Sequence, residues 1–513
     1  MHLNYFCMSL NSKKRVLSFF LCLSLVFCTS GKYEVLAATE VLPPTIKSPT
    51  AVENLNTKTE LSEYQVAKAG PGEKINPFLD ALVSAYMTNS QLHSKIEEQK
   101  ARDEEVSKRL GAFRPNLAIS ADTGISRTEN QTFGHNPSPR APARVRDRKT
   151  IHPSTAGVNL SQSLYNGGTD LANKDSGENA AIAGQYDYLN TEQTVLFNAI
   201  SVYMDVIFRE KAVDINKENE TFLQEQLKAL EVAVEVGDKT LTNQAQAESR
   251  LAEATAALSD AEAEFKKTVA KYETVIGTKP GLLVQPKSLE GLPASRDELV
   301  AMAKDLNPGI LQAIYKENSA KNDIDAASGA LLPKIDIQGN AARNLHQQTS
   351  RSRSNNASAF LTLKIPLYQG GGEYASIRQR AFQAAQARFD LEQARKKAIE
   401  DAIAAWESWI AAKQKVKSVL VQLKAAERAR DGALLEAEVG ERSYVEALDA
   451  QKDFLRAQLA LLQATRDERV NQYMLLAVVG QLTAKNLQLP VENYDIKGHL
   501  EAAKDTYIGT STR

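Results

Sequence analysis

The chain has 513 residues and a formal net charge of −1, and 6% of its residues are aromatic. A balance so close to neutral gives no indication of nucleic-acid binding. All three cysteines lie within the first 28 residues, so neither disulfides nor thiol chemistry are expected in the rest of the chain. The many Ala, Glu, Gln and Lys residues favour long helices.

Residues 1–38 have the layout of a secretory signal peptide. A basic cluster at 13–15 precedes an apolar run at 16–27, and cleavage is expected after Ala38. The run has 12 residues, whereas a membrane-spanning helix needs roughly 20. A membrane anchor and a lipoprotein with a lipidated Cys28 are the alternatives. A large residue precedes that cysteine, where bacterial lipoproteins carry a small one.

Residues 39–75 are rich in Pro, Thr, Lys and Glu without an apolar period, and we predict a flexible leader there. Residues 76–112 are helical in composition, and Asn76-Pro77 is typical of a helix start. No later apolar run reaches 18 residues, so a transmembrane helix is not expected. The weak alternating signal of a transmembrane β-barrel is compatible with the sequence.

A fixed register relates two parts of the chain. Residues 164–277 align without a gap with 367–480, at an offset of 203. Upstream the offset is 218, and the extra 15 residues form an insertion at about 128–154, in which Pro137, Pro139 and Pro142 predict a loop. Such a register indicates an internal repeat. The predicted domains are a first repeat at 76–290, a second repeat at 291–487 and a C-terminal tail at 488–513.

Four segments alternate apolar and polar residues, which is typical of strands with one apolar and one polar face. They lie at about 115–128, 155–165, 333–346 and 357–367. Their length fits tilted membrane strands. Four strands cannot close a barrel, since the smallest barrels have about eight. Open edges in lipid would leave backbone groups unsatisfied, so several copies must share one barrel. A soluble sheet packed on helices is the alternative.

Each strand pair is followed by a helical pattern of about 65 residues without proline, which would be roughly 100 Å long. Apolar and small residues recur in it in steps of three and four, as in coiled coils. The turn from strand to helix reads Leu-Tyr-x-Gly-Gly in both repeats, and its glycines allow a sharp change of direction. A phosphate loop is not expected, because no Lys and hydroxyl residue follow. These turn glycines are Gly167, Gly168, Gly370 and Gly371.

A Val-Gly segment separates each long helix from its return helix, at 236–245 and at 439–448. Ser443 and Glu446 have the spacing of a capping box. Glu446 and Asp449 share a helix face because they are three residues apart. If several copies converge there, these carboxylates would form a ring that attracts cations. The spacing alone leaves open whether Glu446 only caps the helix or also belongs to such a ring.

The insertion is basic, and the second hairpin adds two arginines. A solvated loop is the simplest interpretation, and contact with anionic lipid headgroups or lipopolysaccharide is the alternative. The residues concerned are Arg140, Arg144, Arg146, Arg148, Lys149, Arg351 and Arg353.

Together these features resemble the TolC family of outer-membrane efflux and secretion channels. The resemblance covers about 76–487 and rests on the repeated layout, the LYNGG and LYQGGG turns and the segment VGERSYVEALDAQ. It implies a mainly α protein with a β-barrel part, built from a duplicated helix–strand–strand–helix–helix unit. Three copies would form a trimeric 12-stranded transmembrane β-barrel, continued by a long α-helical barrel.

The resemblance also implies a function. The chain would be the passive exit duct of a tripartite efflux or type I secretion system in a Gram-negative outer membrane, with a periplasmic extension. It would not be an enzyme and would need no cofactor or metal. Its partners would be two further copies, a periplasmic adaptor protein, an inner-membrane pump or ABC transporter and outer-membrane lipid, but no nucleic acid. A periplasmic coiled-coil adaptor or scaffold is the alternative.

Finally, the resemblance implies roles for residues at the tips. Three residues depart from the family pattern: Ala437 stands where some family channels carry a tyrosine, Glu446 replaces an aspartate, and Asn243 matches Glu446 in the first repeat. The pore-entrance constriction would consist of Arg442, Glu446 and Asp449. The adaptor would dock on Val236, Gly237, Thr240, Val439, Gly440 and Ser443.

Overall fold

A computed structural model describes residues 76–133, 144–289, 291–492 and 494–510. The predicted signal peptide and leader, and Arg140 of the basic insertion, lie outside these residues. The described part is mostly helical with a smaller sheet. The helices are α1 Pro77–Thr88, α2 Ser90–Leu110, α3 Thr169–Glu235, α4 Leu241–Ile276, α5 Arg296–Leu306, α6 Pro308–Ser328, α7 Gly372–Glu438, α8 Tyr444–Val479 and α9 Ile496–Asp505. The strands are β1 Asn116–Thr123, β2 Ser126–Phe133, β3 Arg144–Ile151, β4 Ser154–Asn166, β5 Lys334–Leu345 and β6 Arg353–Lys364.

Asparagine side chains cap the starts of α1 and α6. The side chain of Asn76 accepts a hydrogen bond from the Phe78 N–H at 3.2 Å at the start of α1. Asn307 does the same for α6, accepting from two backbone N–H groups. A side-chain oxygen at this position satisfies a donor that has no partner within the helix. The proline that follows each of these asparagines has no N–H to satisfy, so it suits the first helical position.

The long helices come in two pairs of equal length. α3 and α7 have 67 residues each, and α4 and α8 have 36 each. A helix of 67 residues is about 100 Å long. On α7, alanines that recur in steps of three and four residues are buried, among them Ala398, Ala402 and Ala405. Such small side chains let helix backbones approach closely. Among the described residues, no helix is both long and apolar enough to cross a membrane.

The largest core lies where α1, α3, α4 and α8 meet. Phe78 packs edge-on against Tyr203 with ring centroids 5.2 Å apart, and Tyr203 is fully buried. Edge-to-face packing of this kind suits the quadrupoles of the rings. The segment after α8 joins this core through Leu482 and Leu489. The predicted tail therefore begins inside the packed body, and its helix α9 lies against α2, where His499 Nδ1 is 3.0 Å from the Asp103 carboxylate.

The main sheet has the strand order β1-β4-β5-β6, and every neighbouring pair is antiparallel. One face is apolar: Leu117 and Ile119 lie opposite Leu160 and Val158. The other face carries Ser120, Asn159 and Asn340, which are linked by side-chain hydrogen bonds. Large apolar side chains of the first face are exposed, with Ile119 at 82% and Leu361 at 69%. The alternation seen in the sequence thus produces a sheet with one apolar face, and that face has no cover among the described residues.

The prediction that the insertion forms only a loop is wrong. β2 and β3 pair along eight residues each as a second, two-stranded sheet. The three prolines that suggested a loop occupy residues 137–142, between the two strands and outside the described residues. The strands themselves contain Val145, Thr150 and Ile151, which favour extended backbone.

Candidate functional site

The two Val-Gly tips adopt the same conformation. α3 ends at Glu235 and α7 at Glu438, and the following Gly237 and Gly440 have φ of 81° and 79°. A positive φ suits glycine and closes the helix end through backbone hydrogen bonds. The preceding valines are exposed, Val236 at 75% and Val439 at 72%. Each tip therefore presents one apolar side chain next to a glycine with no side chain of its own.

The return helices begin differently. Thr240 caps α4, because its hydroxyl accepts a hydrogen bond from the Asn243 N–H at 3.3 Å. Ser443 makes no side-chain cap at the start of α8. The predicted capping box is therefore wrong. The Glu446 carboxylate instead pairs with Arg442, with an Nε to Oε2 distance of 3.0 Å.

Arg442 connects the end of α7 with the start of α8. Its guanidinium lies 3.2 Å from the Glu436 carboxylate and 3.0 Å from that of Glu446. The side chains of Arg442 and Glu446 remain 42% and 62% exposed. Two of the three predicted constriction residues are thus brought together within one chain, where the arginine partly neutralises the carboxylate.

Asp449, the third predicted constriction residue, pairs with the first repeat. Its carboxylate lies 2.5 Å from Arg250 Nη2. Arg250 also contacts Glu253 at 3.0 Å, and Glu253 forms an ion pair with Lys452. These two cations hold the pKa of the Glu253 carboxyl below its ordinary value. The result is a chain of four alternating charges that joins α4 to α8.

The predicted site did not include Arg250, Glu253 and Lys452, although the sequence carries a signal for them. Arg250–Asp449 and Glu253–Lys452 both span 199 residues. That separation is the repeat offset of 203 reduced by four residues, or about one helical turn. A search for opposite charges at this shifted register would have found both pairs.

α8 is also fastened to α3 by polar contacts close to the tip. The Tyr444 hydroxyl donates a hydrogen bond to Gln226 at 2.5 Å, and burial raises the pKa of Tyr444 to about 12. Further along, the buried Gln451 amide donates to Asn219 at 2.9 Å. These contacts fix the rotation of α8 about its axis, and therefore the direction in which Glu446 and Asp449 point.

The strand-to-helix turns use their glycines in two ways. Gly167 and Gly370 have φ of 62° and 80°. A Cβ added to Gly167 would collide with the carbonyl oxygen of Gly329 and lie 2.9 Å from the Leu332 Cβ. A Cβ added to Gly370 would meet no described atom within 4 Å. The first turn therefore needs glycine for both space and backbone conformation, and the second for conformation alone. Gly168 and Gly371, with φ of 78° and 86°, are the N-cap residues that immediately precede the long helices α3 and α7.

Comparison with known proteins gives a consistent result. The family model described as outer membrane efflux protein matches residues 82–278 and 299–481. The chain is 33% identical over 433 residues to the outer membrane efflux protein BepC of Brucella suis biovar 1, covering 84% of this chain and 91% of BepC. It is 24% identical over 431 residues to the outer membrane protein TolC of Vibrio cholerae, covering 81% of this chain and 91% of that protein.

Solved structures share the fold. The CmeC outer membrane channel of Campylobacter jejuni has a TM-score of 0.70 at 14% identity, covering 85% of this chain and 94% of CmeC. The open-state MtrE outer membrane channel of Neisseria gonorrhoeae has a TM-score of 0.68 at 16% identity, covering 80% of this chain and 90% of MtrE. These likenesses confirm a mainly helical chain with a smaller β part.

The family match includes both long-helix pairs, and the BepC alignment covers most of either chain. The expectations of an outer-membrane location and of a transporter rather than an enzyme are confirmed by this match. The chain belongs to the outer membrane efflux protein family.

Proposed function

We propose that three copies of the chain form the passive exit duct of a tripartite export system, running from the periplasm through the outer membrane. The observation that carries the proposal is the main sheet. It has an uncovered apolar face, a polar face, and two outer edges, β1 and β6, without a partner strand among the described residues. Exposed edges and uncovered apolar surface call for a partner, and lipid together with further copies supplies both.

Closure of the sheet is geometrically consistent. β1 runs away from the helices and β6 runs back towards them, because the four strands alternate in direction. β6 of one copy would therefore lie antiparallel to β1 of the next. Three copies of four strands give twelve, an even number within the range of outer-membrane barrels. The family resemblance is the reason for choosing three copies.

The strand lengths fit an outer membrane. β5 and β6 have 12 residues each, or about 40 Å of strand at roughly 3.3 Å per residue. A tilt of about 40° reduces this to roughly 30 Å of height, enough for the apolar band of about 25 Å. The apolar face would contact lipid and the polar face would line a water-filled lumen.

The helices supply a second contact between copies. On the first half of α7, Tyr374, Phe382 and Phe389 are exposed, at 47%, 75% and 61%. Spacings of eight and seven residues place them on one face of the helix. Exposed apolar stripes of this kind mark interfaces. We infer that another copy covers this stripe, so that the long helices extend the barrel into a periplasmic tunnel.

The equal lengths and constant offset of the helices support a duplicated helix–strand–strand–helix–helix unit, with repeats at 76–290 and 291–487. The Val-Gly tips would lie at the periplasmic end of the helical part of the duct. An adaptor protein would dock on Val236, Gly237 and Thr240 and on Val439, Gly440 and Ser443. An inner-membrane pump or ABC transporter would supply the energy, as the family resemblance implies. Arg442, Glu446 and Asp449 would narrow the entrance.

The proposal is tested by the mass and conductance of the full-length protein. The protein is extracted from the membrane fraction in mild detergent, its mass is measured by light scattering, and it is then placed in planar bilayers. The proposal predicts a trimer that needs detergent and conducts ions. A monomer that stays in solution without detergent and does not conduct would contradict it and favour a coiled-coil scaffold.

A further inference from the structure

The hairpin formed by β2 and β3 continues the register of the main sheet. Thr123 lies opposite Ser154 in the pair β1–β4, and Ser126 lies opposite Ile151 in the pair β2–β3. Two residues lie between Thr123 and Ser126 on one strand, and two between Ile151 and Ser154 on the other. Within this gap the Gly124 N–H donates to the Pro153 carbonyl at 3.0 Å. The ribbon therefore crosses from one sheet to the other without a slip, and residues that alternate on one strand keep their sides.

This continuity tells which residues of the hairpin lie on the apolar side. The alternate positions Leu117, Ile119 and Ala121 of β1 lead to Arg127 and Glu129 of β2. The positions opposite Glu129 and Gln131 on β3 are Arg148 and Arg146. Both guanidiniums contact the Glu129 carboxylate, at 3.1 Å from Arg146 and 3.2 Å from Arg148, which confirms that the three side chains share one side.

The second hairpin adds arginines on the same side and at the same end of the sheet. Arg343 of β5 lies opposite Ala156 of β4, and Arg353 of β6 lies opposite Leu345 of β5. Both arginines are therefore on the apolar side of the sheet. Both arginines are exposed. We call the whole set the arginine ladder: Arg127, Arg146, Arg148, Arg343 and Arg353.

The two sides of the ribbon differ in charge at this end. The apolar side carries the five arginines of the ladder and one carboxylate, Glu129. The polar side carries Asp122, Asp147 and Lys149. An excess of positive charge thus stands directly beyond the apolar band, on the side that would face lipid. A cargo-binding surface would instead need the positive charge on the polar side, which faces the proposed lumen.

We propose that the arginine ladder binds the phosphate groups of lipid in the outer leaflet. The proposal rests on the proposed function, because it takes the apolar face to be the lipid face. Charge complementarity and continuity with that face both favour a phosphate-bearing lipid. The planar guanidinium forms two parallel hydrogen bonds with phosphate, which an ammonium group cannot match. Basic residues just beyond the apolar band are attracted to anionic headgroups.

Glu129 acts as a positioning residue within the ladder. Its side chain is 33% exposed, whereas Arg146 and Arg148 remain 53% and 54% exposed. The carboxylate therefore holds the two guanidiniums side by side, while more than half of each arginine side chain stays exposed to an incoming phosphate. Surface ion pairs of this type contribute little to stability, so their removal should leave the fold intact.

The test uses the full-length protein in nanodiscs of phosphatidylcholine with bisphosphorylated lipid A, and in matched discs with lipid A from which the phosphates have been removed. Three proteins are compared: wild type, R127Q/R146Q/R148Q, and the control K266Q/K267Q/K271Q. The control removes the same charge from α4 in the helical body. The number and the affinity of bound lipid A molecules are measured by native mass spectrometry, and each preparation is also assayed for conductance.

We expect wild type and control to bind phosphorylated lipid A equally, and the ladder variant to bind it about tenfold or more weakly. Binding should fall at high salt and should be weak for dephosphorylated lipid A. Equal binding by the ladder variant, or equal binding of both lipids by wild type, would overturn the proposal. So would binding of soluble polyanions such as heparin without binding of lipid A. Preparations that conduct but do not bind lipid A contradict only the ladder, whereas preparations that do not conduct contradict the duct.

Discussion

Arg250 Nη2 lies 2.5 Å from the Asp449 carboxylate, so a charge of the first repeat sits against a predicted constriction residue of the second. Neither residue is buried, since their side chains are 30% and 54% exposed. A pair in this position stabilises the fold little. It changes the charge that the lumen would meet, because a carboxylate with a bound guanidinium attracts cations less than a free one.

Removal of Arg250 should therefore strengthen cation binding at the entrance. In R250Q we expect higher cation selectivity and a several-fold lower concentration of divalent cations for half-block, with a thermal midpoint close to wild type. The control is R456Q, an exposed arginine of α8 paired with Asp453 on its own helix. Single-channel recordings check the prediction. If R250Q and R456Q behaved alike, the pair would have no part in the entrance.

The double change E446Q/D449N should have the opposite effect. It removes both predicted ring carboxylates, and the remaining Arg442 and Arg250 would make the entrance more positive. We expect block by divalent cations to weaken by about tenfold or more and cation selectivity to fall. D453N, on the same helix, is the control. Selectivity and block identical to wild type would show that Glu446 and Asp449 do not line the narrowest part.

Glu192 should make the stability of the helical body depend on pH. Its side chain is buried, and its carboxylate accepts a hydrogen bond from the Ala484 N–H at 2.7 Å. Burial raises its pKa from 4.5 to about 7. The folded state therefore holds this proton more tightly than the unfolded state. Its contribution to stability is fully present below about pH 4.5 and declines as the pH rises to about 7, by roughly 3 kcal/mol at most.

The variant E192Q stays neutral at every pH, and its side-chain oxygen can still accept the Ala484 hydrogen bond. We expect its thermal midpoint to vary less between pH 5 and about pH 8 than that of wild type, and to exceed it at the upper end. E427Q, at an exposed site on α7, is the control. The assignment would fail if E192Q kept the pH dependence of wild type, as measured by thermal unfolding followed by circular dichroism.

The two strand-to-helix turns should respond differently to alanine. G370A places a side chain at positive φ in open space, which costs about 1–2 kcal/mol. G167A adds a collision with the Gly329 carbonyl, and we expect a larger loss or failure to assemble. Thermal midpoints and the yield of assembled protein compare the two variants. Equal losses would mean that the close approach of Gly167 to Gly329 relaxes without cost.

Particular elements show how far the sequence predicts this fold. The offset of 203 residues relates α3 to α7 and α4 to α8. The turns and tips that bound these helices repeat at this offset, so the paired helices have equal lengths. The alternation of Leu117 and Ile119 with Ser120 predicts the faces of β1, since side chains of a strand alternate strictly. The hairpin β2–β3 was not predicted because most residues of both strands are polar, as in a loop. Pro137, Pro139 and Pro142, which lie between the two strands in the sequence, are also typical of a loop.

The site was less predictable than the fold. The positions of Glu446 and Asp449 on one helix face follow from helical spacing, but their partners depend on how separate helices pack. Arg250 is distant in sequence, and its approach to Asp449 follows from a shift of one helical turn between α4 and α8. Ser443 has the capping spacing, yet Arg442 beside it offers the Glu446 carboxylate a charged partner. A local rule cannot weigh such competing contacts.

The shared barrel is tested most directly by cross-linking its two edges. The chain beyond residue 38 has no cysteine, so any disulfide that forms there must join the introduced cysteines. A cysteine at Ala118 of β1 is combined with one at Ser354, Asn356 or Ser358 of β6, and Asn159 in the interior strand β4 replaces Ala118 as the control. We predict that one combination forms disulfide-linked trimers in outer membranes, while the control stays monomeric on denaturing gels. Monomers throughout the series would contradict a barrel closed between β1 and β6.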